Sequence, residues 1–314
     1  MKHLFIVNPV AGGKDKTEAV RAAVQKVMAD SRDTWEIYVT RAPMDALDKV
    51  QREAATGVPL RVYACGGDGT LNECVGGAAG LAHVAVAPYP CGTGNDFIKM
   101  FGEDRDAFFD LSRLVAGEVH PLDLIRCNGR WSVNICSVGV DARIGTEVHK
   151  YSKLPVIGGK GGYIVSAIVN LFKGINRNFT ILVDGEELHS GPTALVCVCN
   201  GQWYGGSFHA MPLARPDDGI LDCLLVPGVS RLNFIRFITG YAKGRFANYP
   251  KYIRHVRGKK LEVTAGGEDI AVNLDGELLR GNHICMELFP GEVNFLFPAG
   301  MRYSFIGKKK TEAI

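Results

Sequence analysis

The first 120 residues alternate between two kinds of segment, and this alternation restricts the fold more than any other feature. Apolar runs of strand length and β-branched content stand at HLFIVN (3–8), WEIYVT (35–40), RVYAC (61–65) and VAVAPY (84–89). Between them, segments 15–30, 45–55 and 70–79 carry Ala, Val and Leu at helical spacing, with Val20, Val24 and Val27 on one face of the first. Strands this continuously apolar must be covered on both sides, so the alternation predicts a parallel sheet with helices on both faces.

After about Pro121 strands dominate, at roughly 122–127, 130–138, 178–184, 193–200, 220–226, 259–265, 269–274, 283–289 and 292–297. Turn signals separate them: CNGR, VDGEE, AGGED, LDGE and FPGE. The pattern predicts an antiparallel sandwich or barrel, interrupted by helical insertions at about 160–174 and 230–242. A length of 314 residues agrees with two domains. The final GKKKTEAI reads as a disordered tail.

Composition narrows the setting. Apolar content of 46% and charged content of 22% are ordinary for a globular chain. A net charge of +3 is too small to argue for nucleic acid as a partner. Nine cysteines fall at spacings that make no zinc or redox motif, so buried free thiols in a reducing cytosol are expected. Cys197 and Cys199, two apart in an apolar strand, should share one face. The longest apolar segment, YIVSAIVNLF (163–172), is about half a membrane span, and MKHLFIVNP is too short for a signal peptide. The expectation is a soluble, intracellular chain with no transmembrane segment, doing any membrane work from the surface.

Chemistry concentrates in three glycine-rich loops, each directly after a strand: NPVAGGK (8–14), CGGDGTLNE (65–73) and PCGTGNDF (90–97). Carboxyl ends of parallel strands are where such sheets bind ligands, and glycines let backbone N–H groups approach phosphate oxygens. Taken alone, GGDG also reads as a tight strand-to-helix turn, with Thr70 and Glu73 at capping-box spacing. Three such loops on one sheet edge favour a nucleotide site. Neither G-x-x-x-x-G-K-[ST] nor G-x-G-x-x-G is present, which argues against a P-loop NTPase or an ordinary dinucleotide oxidoreductase.

GGDGTLNE together with GTGNDF and an N-terminal NPxxG resembles the diacylglycerol kinase catalytic family, which includes soluble bacterial diacylglycerol kinases and sphingosine and ceramide kinases. The resemblance runs over essentially the whole chain. It implies an NAD kinase- and phosphofructokinase-like α/β domain over 1–128, rejoined by 298–314, and an antiparallel β-sandwich lipid-substrate domain over 129–297. It implies ATP contacts from Asn8, Thr40, Gly66, Gly67, Asp68, Gly69, Thr70, Leu71, Asn72, Thr93 and Asn95. Asp68, Asp96 and Asp123 match a water and Mg²⁺ network, and Glu277 in NLDGE matches the general base. ARPDDGILD matches a structural Mg²⁺ loop, with Asp218 and the carbonyls of Arg215 and Ile220 as ligands. Ala11 and Gly13 depart from the family pattern, which leaves the role of Lys14 open.

Physical chemistry supports these roles unequally. Phosphoryl transfer needs metal at the phosphates and a base near the accepting hydroxyl, so several acids around a glycine-rich site make sense. By its local sequence, however, LDGE is equally a hairpin turn, and PDDG a plain turn. The stretch 241–260 holds seven Lys/Arg, no acid and four Tyr/Phe. It reads either as a basic aromatic surface for anionic lipid headgroups or as a solvated helix end and loop. The KKK at 308–310 reads the same two ways.

The expected activity is transfer of the γ-phosphoryl of ATP, with Mg²⁺, to a lipid hydroxyl, with diacylglycerol first among acceptors. An NAD kinase and a non-catalytic nucleotide or lipid sensor on the same fold are the rival readings. By analogy the chain would be cytoplasmic, peripheral at the inner membrane face, and a homodimer.

Overall fold

The computed structural model describes residues 1–140, 174–206 and 208–303. They divide into two units. One comprises the described residues of Met1–Leu124, Pro216–Gly219 and Phe289–Ile314; the other, those of Ile125–Arg215 and Ile220–Leu288. The return to the first unit thus begins at Phe289, earlier than the expected 298. The four-residue segment Pro216–Gly219 also belongs to the first unit, although the sequence reading put it in the second.

The first unit is built on four parallel strands, β1 (Lys2–Val7), β2 (Thr34–Val39), β3 (Leu60–Gly66) and β4 (Val84–Pro90). Their order is β2-β1-β3-β4. Successive residues Leu4, Phe5 and Ile6 are all fully buried, so both faces of β1 are covered, as its unbroken apolar run requires. The intervening helices are α1 (Thr17–Met28), α2 (Asp45–Ala54) and α3 (Asp68–Ala78), and a short α4 (Leu111–Val115) follows. Helix α2 packs on α3, and α1 on α4. On α1 the buried stripe is Val20, Val24 and Met28, while Val27 sits half-buried at its margin. The chain leaves β1 toward β2 on one side and returns to β3 on the other. The carboxyl ends of β1 and β3 therefore flank a topological switch point, where such sheets open a crevice.

The second unit is antiparallel. The chain enters it through β5 (Glu118–Cys127), which turns at Asn128-Gly129 into β6 (Arg130–Ser132). Next come β7 (Ile135–Gly139), β8 (Arg177–Val183), β9 (Glu186–Cys199), β10 (Leu221–Pro227), β11 (Arg254–Gly258) and β12 (Lys260–Thr264). β13 (Ile270–Leu274), β14 (Glu277–Gly281) and β15 (His283–Phe297) complete it. β9 pairs with β8 along its first half, and with both β7 and β10 along its second. Its side chains alternate between two cores. Val196 and Val198 join Ile181, Val263 and Ile284, whereas Leu195, Cys197 and Cys199 join Phe234, Phe237 and Tyr241 from helix α5 (Arg231–Tyr241). The Sγ atoms of Cys197 and Cys199 lie 3.5 Å apart on one face, as their spacing predicts.

Three features depart from the sequence reading. β11 and β14 were not anticipated: short, charged at their ends and partly exposed, they resemble loop sequence. FPGE is no turn between two strands, because β15 runs unbroken through it, with Gly291 at φ 64°. α3 starts at Asp68 with Gly67 as its N-cap, and no capping box forms. Glu73 instead accepts a hydrogen bond from Ala46 N at 3.1 Å, capping the neighbouring α2. The helical insertion expected at 160–174 and the tail from 304 lie outside the described residues, apart from Gly174, which is not helical.

Phe237 is fully buried between the second core and Tyr252. Phe237→Ala should therefore cost about 3–5 kcal/mol of unfolding free energy, read from urea denaturation.

Candidate active site

The loops that follow β1, β3 and β4 are strapped together by backbone hydrogen bonds. Gly66 O, at the end of β3, accepts from Cys91 N at 2.8 Å and Gly92 N at 3.0 Å. A Cβ on Gly92 would stand 2.6 Å from Gly67 Cα, so these two loops touch backbone to backbone and only glycine fits. From the β1 side, Asn8 Nδ2 donates to Thr70 Oγ1 at 3.0 Å, and Asn8 N donates to Cys65 O at 3.0 Å. Lys16 Nζ donates to Cys91 O at 2.8 Å, closing the first loop against the third. The structure thus gives the bridging role between loops to Lys16, while Lys14 is exposed. At the end of β2, Thr40 N donates to Val7 O at 2.9 Å.

Asp68 is the first residue of α3, where a carboxylate is favoured by the helix dipole. Its Oδ1 accepts from Asp96 N at 2.6 Å and Phe97 N at 3.3 Å, so it fixes the GTGNDF loop from across the site. Asp96 Oδ1 pairs with Lys99 Nζ at 2.5 Å in a nearly buried setting. The second oxygens of both acids lie beside Gly94. A Cβ on Gly94 would lie 2.9 Å from Asp68 Oδ2 and 3.9 Å from Asp96 Oδ2. Two carboxylates brought side by side at a glycine-rich loop are oxygen donors of the kind Mg²⁺ takes, with phosphate and water completing its shell.

The remaining predicted nucleotide residues fall on the same edge. Gly66, Gly67, Asp68, Leu71, Asn95 and Phe97 line one small cavity. Thr93 is exposed, and Asn95, at φ 48°, braces its loop through Nδ2 to Gly92 O at 3.0 Å. Gly69 and Thr70 form the first turn of α3, with Thr70 held by Asn8. Asn72 is buried, and its Oδ1 has no hydrogen-bond partner among the described residues. No side-chain cap satisfies the first turn of α3, which suits it to an anion.

Asp123 is placed differently. It is buried in β5, where Oδ2 accepts from Gly219 N at 2.7 Å and Oδ1 from Gly291 N at 2.8 Å. It clamps the segments Pro216–Gly219 and Phe289 onward to its own strand. Burial pushes its carboxyl above the ordinary range; the two amides oppose this, and the charges of Asp218 and Asp217 add to it. Asp218 lies on this clamped segment, with Arg215 and Ile220 as its flanks in the chain. Among the described residues no three His, Cys, Asp or Glu side chains converge as a metal site.

Glu277 lies in the second unit as the first residue of β14. It faces Leu274 across a two-residue turn, with Asp275 at φ 49° and Gly276 at φ 96°. LDGE is therefore a type I′ hairpin turn, as its local sequence suggests. The turn is held rigidly. Asp275 is half-buried and accepts from Val133 N and Ile135 N, both at 2.8 Å, while Asn273 Oδ1 accepts from Gly276 N at 2.9 Å. The Arg130 guanidinium forms an ion pair with the Glu277 carboxylate. Sequence reading missed Asp275, Arg130, Lys16 and Lys99. Their partners are distant in the chain or look like ordinary surface charge, although Asp275 inside NLDGE carried a signal as the acid of an Asp-Gly turn.

A parallel α/β unit with its loops gathered at the strand ends, joined to an antiparallel β-sandwich unit, is the architecture of kinases with an NAD kinase-like fold. Residues 2–127 match the diacylglycerol kinase catalytic domain, and residues 134–297 match the YegS C-terminal NAD kinase beta sandwich-like domain. The chain belongs to this diacylglycerol kinase catalytic family of lipid kinases. It is 30% identical over 305 residues to a Serratia proteamaculans protein named "Probable lipid kinase YegS-like", covering 94% of this chain and 93% of that one. A Cronobacter sakazakii protein of the same name is 28% identical over 299 residues, covering 92% and 95%. The solved structure of a diacylglycerol kinase from Bacillus anthracis is 25% identical, with a TM-score of 0.69 over 96% of this chain and 98% of that one. An Archaeoglobus fulgidus NAD kinase solved in complex with ATP shares the fold, at 14% identity and a TM-score of 0.50 over 95% and 94%.

Two expectations follow. Gly92→Ala must push the touching loops apart and should cost about 1–3 kcal/mol in thermal unfolding. Burial pushes the Asp275 carboxyl up to about 6 against its amide donors, so the folded chain keeps this proton where the unfolded chain has released it. Its contribution to stability is therefore fully present at acid pH and is lost as pH rises through about 6. Urea unfolding at several pH values should show wild type gaining on Asp275→Asn as the solution is acidified.

Proposed function

We propose that the protein transfers the γ-phosphoryl group of ATP to the free hydroxyl of diacylglycerol, giving phosphatidic acid and ADP in phospholipid biosynthesis. The observation that carries this reading is the placement of the Asp68 and Asp96 carboxylates side by side at Gly94, amid three strapped glycine loops of a lipid-kinase chain. The backbone N–H groups of Gly66–Thr70 and of the Thr93 loop bind the phosphates, with the first turn of α3 directed at their charge. Asn8 and Thr40 border the same site at the ends of β1 and β2, and Lys16 supplies a cation beside the phosphates. Asp68 and Asp96 would hold Mg²⁺, which would supply positive charge against the phosphates. Asp123 acts through the segments it clamps and keeps β5 and its neighbours in register.

Glu277 is the base in this reading. Its carboxylate takes the proton from the lipid hydroxyl as that oxygen bonds to the γ-phosphorus and the bond to ADP breaks. Arg130 orients it, and Asp275 holds the hairpin on which it stands. Among the described residues no helix is long and apolar enough to cross a membrane. In this reading the acceptor is taken from the membrane face, on the cytoplasmic side.

Incubation with radiolabelled ATP and Mg²⁺ across a panel of acceptors tests the proposal. The panel is diacylglycerol, monoacylglycerol, a sphingoid base, phosphatidylglycerol and undecaprenol in micelles, with NAD in solution. Label should enter phosphatidic acid, and Asp68→Ala and Glu277→Gln should each lower turnover by about 100-fold or more with circular dichroism unchanged. A folded Asp68→Ala variant of normal activity, or label entering NAD instead, overturns it.

A further inference from the structure

Helix α5 presents two contrasting faces. Phe234, Phe237 and Tyr241 are buried in the second core. On the opposite side Leu232 is 71% exposed and Ile235 51% exposed. At helical spacing these two share a stripe with Arg236 and Thr239, both exposed, and Lys243 and Arg245 follow directly beyond the helix end. From Arg231 to Lys260 the chain carries nine Lys/Arg and no acid. The aromatic residues of this stretch are buried or only partly exposed, so they form little of the surface expected of them. Tyr241 and Phe246 are buried, and Tyr249 and Tyr252 pack against the same core. The apolar component of the surface comes instead from Leu232 and Ile235.

Two aliphatic side chains set among arginines and lysines match one kind of partner well. In an anionic bilayer, Leu and Ile enter the acyl boundary while long basic side chains reach back to the lipid phosphates. A second copy of the same face matches poorly, because a two-fold contact would set Arg236 and Lys243 against their own copies. We propose that the outward face of α5, centred on Leu232 and Ile235 and bordered by Arg236, Lys243 and Arg245, docks the protein on an anionic phospholipid surface. This rests on the lipid-kinase reading only for its purpose, which is access to a membrane-embedded acceptor.

Co-sedimentation of the full chain with phosphatidylcholine vesicles, with and without phosphatidylglycerol, tests it without ATP. Wild type should sediment with the anionic vesicles only, and the bound fraction should fall as NaCl is raised. Arg236→Glu with Lys243→Glu should lower the partition by about ten-fold or more, since each basic residue near such a surface is worth about five-fold. Leu232→Asp with Ile235→Asp should do the same. If that pair does not fold, the charge-reversal pair decides. Both double variants should keep wild-type turnover on a short-chain diacylglycerol dissolved as monomers.

Unchanged vesicle binding in the folded variants overturns the proposal. So does equal binding to neutral vesicles, or a Leu232→Asp change that converts a dimer to a monomer on size exclusion without altering vesicle binding. A wild type that binds anionic vesicles but phosphorylates no lipid refutes the kinase reading and leaves the docking surface standing.

Discussion

The carboxylate of Asp68 ties the loop after β4 to the helix after β3, and the geometry of the candidate site hangs on that bond. Its Oδ1 is taken up by two backbone amides, from Asp96 and Phe97, which orients the GTGNDF loop and brings Asp96 alongside. Its other oxygen stands beside Gly94 of the same loop. A bare aspartate in a phosphate loop would repel its ligand. One held by amides beside a second acid is instead suited to a divalent cation, whose charge reverses the local argument.

Carboxylates organise backbone elsewhere in the same way. Asp123 collects the amides of Gly219 and Gly291, bringing two distant segments to β5, and Asp275 collects those of Val133 and Ile135. In both, burial pushes the carboxyl up while the amides pull it down. An acid in such a position shapes the backbone even where it touches no reactant. Asp68 and Asp96 differ from Asp123 and Asp275 in standing among the glycine loops at the strand ends.

Much of the fold was legible because its signals are local. The parallel strands and helices of the first unit follow from a change of hydrophobic period between segments, and the Asp-Gly turns follow from the positive φ they require. Legibility failed where a residue's partner lies far along the chain. Thr70 and Glu73 have capping-box spacing, yet Thr70 bonds Asn8 and Glu73 caps α2. Pro290 and Gly291 look like a turn, yet β15 continues through them and Gly291 N is drawn to Asp123. β11 and β14 were invisible because partly exposed strands can carry charge without loss. In the candidate site the glycine loops and their acids could be read directly, while Lys16, Lys99, Arg130 and the clamp at Asp275 could not.

By itself the sequence determined the two fold classes, the three loops at one sheet edge and the family. Each rests on near neighbours in the chain or on a motif several residues long. Only the tertiary structure decided which backbone amides Asp68 engages and which lysine bridges the loops. It also decided whether the basic stretch after Arg231 exposes aromatic or aliphatic side chains. Those outcomes depend on hydrogen bonds and burial between segments tens to hundreds of residues apart, and periodicity along a chain carries no information about which distant group arrives beside a given atom.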